Sequence, residues 1–121
     1  MDPALRYTLK GGKPVPCESL QEWNAWLETR QNVVAQTDVR VGFDMFLVST
    51  VFYGVNMSFD ADKPIFFETS VFMPEVPAYA ASAIETKKYA TLEEAQKGHE
   101  EMIGRVQRLE IWPPQTIDNL E

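Results

Sequence analysis

The sequence predicts an α+β fold, a twisted antiparallel sheet of about four to five strands packed with two amphipathic helices. Two segments, one toward each end, combine capping-box spacing with helical periodicity. Between them lie β-branched and aromatic runs separated by turn-forming clusters. With 121 residues, 45% of them hydrophobic, the chain has the size of one domain and enough apolar surface to build a core without a metal or disulfide. The expectation is a single domain over 1–121, with 113–121 as a loose C-terminal tail.

Tyr7-Thr8-Leu9 and Val15 flank Lys10-Gly11-Gly12-Lys13-Pro14, which predicts a short hairpin placed at an edge because Pro14 and Pro16 cannot donate to a ladder. Ser19-Leu20-Gln21-Glu22 predicts a helix start, and Leu20, Trp23, Trp26 and Leu27 form its apolar stripe up to about Arg30.

From Val33 to Val55 the pattern turns to strand, with Val39, Val41, Phe43, Met45 and Leu47 alternating against polar residues. The run from Phe46 to Tyr53 is apolar at alternate positions of both kinds, which predicts a central strand covered on each side. Gly54 reads as a bulge or a close approach. A turn over Met57 to Pro64 leads to a strand from Ile65 to Met73, paired antiparallel with its predecessor.

Pro74 to Ile84 reads as loop, and Glu85 to Tyr89 as a short strand. Thr91-Leu92-Glu93-Glu94 repeats the capping-box spacing, and Leu92, Ala95, His99, Met102, Ile103, Val106 and Leu109 fall on one helical face, with Glu93, Glu94, Lys97, Glu100 and Glu101 largely opposite.

Eleven basic and 18 acidic residues give a net charge of −7, the wrong sign for nucleic-acid phosphates or an anionic membrane. The single cysteine, Cys17, excludes an intramolecular disulfide and fits a reducing cytoplasm. The opening residues carry neither the basic nor the apolar region of a signal peptide and no apolar run reaches membrane-spanning length, so neither secretion nor membrane insertion is expected. Walker, GxGxxG, HExxH and GxSxG patterns are missing, and no metal or cofactor is expected.

His99 is the only histidine and the natural acid/base candidate, but its place on an apolar stripe favours a hydrogen-bonded core residue. Cys17 precedes a helix start, which lowers a thiol pKa, yet no hydrolase motif surrounds it. Asp60-Ala61-Asp62 lacks the remaining ligands of a calcium loop and reads as turn. Glu68 sits among aromatics in mid-strand and is either perturbed or, on a wet sheet face, solvated. Trp23 or Trp26 could stack on a base while Arg40 or Lys87 meets a phosphate, which requires a pocket between sheet and helices.

Val48-Ser49-Thr50-Val51-Phe52-Tyr53-Gly54, Phe67-Glu68-Thr69-Ser70-Val71-Phe72 and Tyr89-Ala90-Thr91-Leu92-Glu93-Glu94-Ala95-Gln96-Lys97-Gly98-His99-Glu100-Glu101-Met102 together resemble a family of small phage and prophage proteins. The opening Tyr7-Thr8-Leu9, Gly12 to Cys17 and the Trp23 to Trp26 segment are similar to that family's N-terminus, so the resemblance spans most of the chain. Many members place an Asp-His pair after the Val-Phe-x-Gly segment, where this chain has Val55-Asn56-Met57-Ser58. No catalytic residue is carried over.

The resemblance implies a phage origin, and with it an accessory factor, not an enzyme, that binds a host protein or a small effector in the host cytoplasm, counter-defence included. In the protein-binding version, Glu93, Glu94, Glu100, Glu101 and the Pro74 to Ile84 loop meet a basic partner. The alternatives are a structural virion component whose copies pack together as a homo-oligomer, and a small enzyme using Glu68 and His99 if the fold unites them in a cleft.

Overall fold

The computed structural model describes residues 6–111 except 59 and 61; the expected tail at 113–121 lies outside the described residues. The element order is β1 (Tyr7–Lys10), β2 (Lys13–Pro16), α1 (Leu20–Glu28), β3 (Val33–Val41), β4 (Asp44–Phe52), β5 (Phe67–Phe72), β6 (Glu85–Tyr89) and α2 (Leu92–Gln107), with a 3-10 turn at Pro77–Tyr79 before β6. β3 to β6 form an antiparallel meander in chain order, while β1 and β2 form a separate two-stranded sheet. The α+β architecture is as predicted; the hairpin is not an edge of the main sheet.

Local chemistry explains each boundary. Gly11 and Gly12 have φ of 57° and 79°, the left-handed pair that a tight hairpin turn requires. Ser19 caps α1 by accepting from the Glu22 amide at 3.1 Å, and Thr91 caps α2 by accepting from the Glu94 amide at 3.1 Å. The Glu94 carboxylate reaches back to the Ala90 amide at 3.2 Å, completing the second box one residue before the cap.

The segment from Val39 to Leu47 is not one alternating strand. The chain reverses at Gly42-Phe43, where Gly42 has φ of 64°, and Val41 pairs with Asp44. The reversal shifts the parity. Thr37, Val39 and Val41 face α2 before the turn, whereas Phe46, Val48, Thr50 and Phe52 face it afterwards. Met45 and Leu47, expected beside Val39, therefore point to the opposite face.

That second face corrects a further expectation. β4 is central, but only the α2 side is filled by a helix. Val39, Phe46, Val48, Val71, Met102, Val106 and Ile111 form one apolar cluster between sheet and α2. Phe52, Phe66, Phe67 and Ala95 form a second, into which Trp26 of α1 packs. Phe46, Phe52 and Phe67 are wholly buried, each stabilising by roughly 1.5–3 kcal/mol. The predicted stripes overreach at two points: Leu20 and Leu109 are exposed, Leu109 because α2 has already ended and its φ is 61°.

Candidate functional site

His99 sits on the inner face of α2, 2% exposed. Its Nε2 is 2.9 Å from the Thr37 hydroxyl on β3, and its Nδ1 is 2.7 Å from the Thr50 hydroxyl on β4. Thr50 is in turn 2.5 Å from the Thr69 hydroxyl on β5. One chain of hydrogen bonds thus links α2 to β3, β4 and β5. A neutral imidazole donates from one nitrogen and accepts at the other, and hydroxyls can do either, so the chain is fully satisfied. Burial pushes the His99 pKa below its ordinary value, with the charge of Glu100 opposing weakly. The ring is locked and neutral, a core histidine.

Glu68 lies on the other side of the sheet. Register places Thr69 and Phe67 on the α2 face, so Glu68, Ser70 and Phe72 face away. Glu68 and His99 therefore occupy opposite faces, and the cleft that an enzyme using both would need is not formed. Instead the Glu68 carboxylate accepts a short hydrogen bond from the Tyr53 phenol, and its other oxygen is 3.3 Å from the Lys88 ammonium, directly across the β5–β6 ladder. Burial, then the Glu68 hydrogen bond and charge, push the Tyr53 pKa up to about 12. Glu68 is 9% exposed, so it is neither unpaired nor freely solvated. Both readings offered by the sequence missed its partners.

Around this triad the open face is ordered in rows. Gln36, Ser49, Ser70 and Thr86 stand opposite one another across all four strands, and the Gln36 amide donates to Ser49 at 3.1 Å. On one side of this polar row lie Leu47 and Phe72, directly paired; on the other lie Val51, Glu68 and Lys88. Met45, Leu47, Val51 and Phe72 belong to neither apolar cluster and stay partly exposed.

The expected base-and-phosphate pocket is not formed. The Trp23 indole donates to the Tyr7 carbonyl at 3.0 Å and packs on Gly54, where an added Cβ would lie 2.8 Å from the ring nitrogen. Gly54 thus marks a close approach. Trp26 meets Phe52 edge-on with ring centroids 5.8 Å apart. Arg40 is exposed on the β3 edge and faces away from α2, whereas Lys87 is on the β6 edge, 5.8 Å over the Tyr89 ring. A cleft of about 350 Å³ does exist between the β1–β2 turn and the start of α2, lined by Gly12, Lys13, Pro14, Leu92 and Gln96. Of the candidate binding residues, its lining includes Glu93 alone.

Glu93, Glu100 and Glu101 are exposed on the outer face of α2, while Glu94 is held in its cap. No three histidine, cysteine, aspartate or glutamate side chains among the described residues are grouped to hold a metal ion. No helix among them is long and apolar enough to cross a membrane. Comparison with known proteins finds no matching family model, curated protein or solved structure.

Tyr53, Lys88, Thr37, Thr50 and Thr69 were not legible as site residues. Their roles depend on the β3–β4–β5–β6 register, which puts Glu68 opposite Lys88 and Thr50 opposite Thr69. Spacing between the two strand runs does not fix that register. One signal was present: Thr37, Thr50 and Thr69 each stand two positions from a buried apolar residue of the same strand, Val39, Val48 and Val71, which puts their hydroxyls on the core face.

Proposed function

We propose that the chain is a phage accessory protein that acts by binding a host protein in the cytoplasm, through the sheet face opposite α2. The observation that carries this reading is that face itself: four strands wide, covered by neither helix, with Met45, Leu47, Val51 and Phe72 partly exposed around the Tyr53–Glu68–Lys88 triad. A partly apolar centre with aromatics and methionine, rimmed by charges such as Asp38, Arg40 and Lys88, has the make-up of a protein interface. An open face four strands wide suits a macromolecular surface better than a small effector, which needs a concave pocket. The ionisable candidates support binding over catalysis. His99 is sealed inside, and Glu68 is engaged by two neighbours.

The test is affinity capture from host lysate with the intact chain, Leu47→Lys, Phe72→Lys, and a charge reversal of Glu93, Glu100 and Glu101. Capture of a defined host protein by the intact chain, lost in the two sheet-face variants and kept in the α2 variant, supports the reading. Loss with the α2 variant alone moves the surface to the acidic helix. Failure of the intact chain to retain any host protein removes the proposal.

A further inference from the structure

β3 is an edge strand of nine residues, and among the described residues its outer side pairs with no other strand. The opposite edge, β6, has five residues and carries Lys87 and Lys88, the kind of charge that discourages strand addition. β3 offers Val33, Val34, Ala35, Thr37, Val39 and Val41 with a single opposite-charge pair, Asp38 and Arg40. Both side chains are exposed, and neither has a hydrogen-bond or ion-pair partner among the described residues.

The turn fixes which backbone groups are free. A two-residue connection at Gly42-Phe43 makes Val41 and Asp44 a hydrogen-bonded pair, and such pairs alternate along an antiparallel ladder. Val41, Val39 and Thr37 therefore direct their amides and carbonyls to β4. Those of Gln36, Asp38 and Arg40 point outward from the sheet.

We infer that β3 pairs antiparallel with β3 of a second copy about a two-fold axis at Val39, joining the two four-stranded sheets into one of eight strands. In this register Asp38 stands opposite Arg40 of the second copy, and Arg40 opposite its Asp38, on the same face and with their outward backbone groups in hydrogen-bonding position. The neighbouring registers are self-opposed, because centring the axis on residue 38 sets Asp38 against Asp38, and centring it on residue 40 sets Arg40 against Arg40. A separate observation supports the same geometry. Phe43, at the hairpin tip, is 98% exposed, a large aromatic with no cover of its own. About this axis each Phe43 lies alongside Ala35 of the second copy, next to Val33 and Val34. The inference uses the backbone of the sheet edge and the charges of Asp38 and Arg40, which also rim the open face.

Sedimentation velocity across a concentration series tests it. The intact chain is expected to shift with concentration from 13.8 kDa to twice that mass. Asp38→Arg and Arg40→Asp, both at exposed positions, should each weaken self-association by at least about tenfold through like-charge opposition while leaving the circular dichroism spectrum unchanged. Mixing the two variants should restore a heterodimer, since one chain then carries arginine at both positions, the other carries aspartate at both, and every cross-strand pair joins opposite charges. The double variant D38R/R40D should restore a homodimer. A strictly monomeric intact chain, a dimer indifferent to both single variants, or single-variant losses that mixing does not recover would each overturn the proposal.

Discussion

The Nδ1 of His99 lies 2.7 Å from the hydroxyl of Thr50, which joins the centre of α2 to the central strand β4 inside the core. The contact is one link of a four-residue chain, Thr69–Thr50–His99–Thr37, that touches three of the four strands of the main sheet. Because its protonation and its hydroxyls can be altered one at a time, the chain makes the docking of α2 experimentally separable from the apolar core.

Stability should fall with acidity through His99. Its folded pKa is depressed by burial below the ordinary 6.5, so the native ring stays neutral where the unfolded ring takes up a proton. The contribution is complete above about pH 6.5 and is lost as pH falls from there toward the lower native value, at up to about 1.4 kcal/mol per pH unit. Urea unfolding between pH 5 and 7, where most carboxylates remain ionised, should show this slope in the intact chain and a flatter one in His99→Gln. Equal slopes would mean that His99 titrates alike in both states.

Thr50→Val keeps shape but removes the hydroxyl between His99 and Thr69. Two buried groups then lose a partner, and the expected cost is about 1–3 kcal/mol, above that of the same change at an exposed threonine such as Thr86. Comparing the denaturant midpoints of the two variants checks this. Similar small effects would show that the network is easily rewired.

These interactions show which level of organisation the sequence expresses. Ser19 and Thr91 announced both helices because a cap acts over three residues, and the turn at Gly11-Gly12 was legible for the same reason. His99 was readable as core from its place on the α2 stripe. The partners of Glu68 were not, because Lys88 is twenty residues away and meets it only after β5 and β6 pair in one particular register. The parity error at Val39 to Leu47 has a similar origin: the Gly42-Phe43 turn sits inside an unbroken apolar alternation, and only chain reversal reveals that the faces exchange.

Glu68→Gln should make Tyr53 easier to ionise. The carboxylate raises the phenol pKa both by accepting its proton in a hydrogen bond and by its charge, while burial, the larger cause, is unaffected. The Tyr53 pKa should therefore drop from about 12 without reaching the ordinary 10.0. Carbon-13 shifts of the labelled tyrosine ring, followed up to the highest pH at which the fold survives, report this directly. An unchanged titration would mean that the phenol and carboxylate do not share a proton in solution.

Gly98→Ala tests how closely α2 approaches β6. An added Cβ would lie 2.1 Å from the Tyr89 ring, so ring and helix must separate. Helix propensity favours alanine by about 1 kcal/mol, whereas overpacking in a core costs about 1–3 kcal/mol, and a contact this short belongs at the costly end. The net effect is a lower midpoint of thermal unfolding. In a Tyr89→Ala background the obstruction is gone and only the propensity gain remains, so the same substitution should there raise the midpoint. That reversal of sign, read in a double-mutant cycle, separates a steric lock from a general intolerance of the helix to change; a loss of equal size in both backgrounds would place the need for glycine somewhere other than Tyr89.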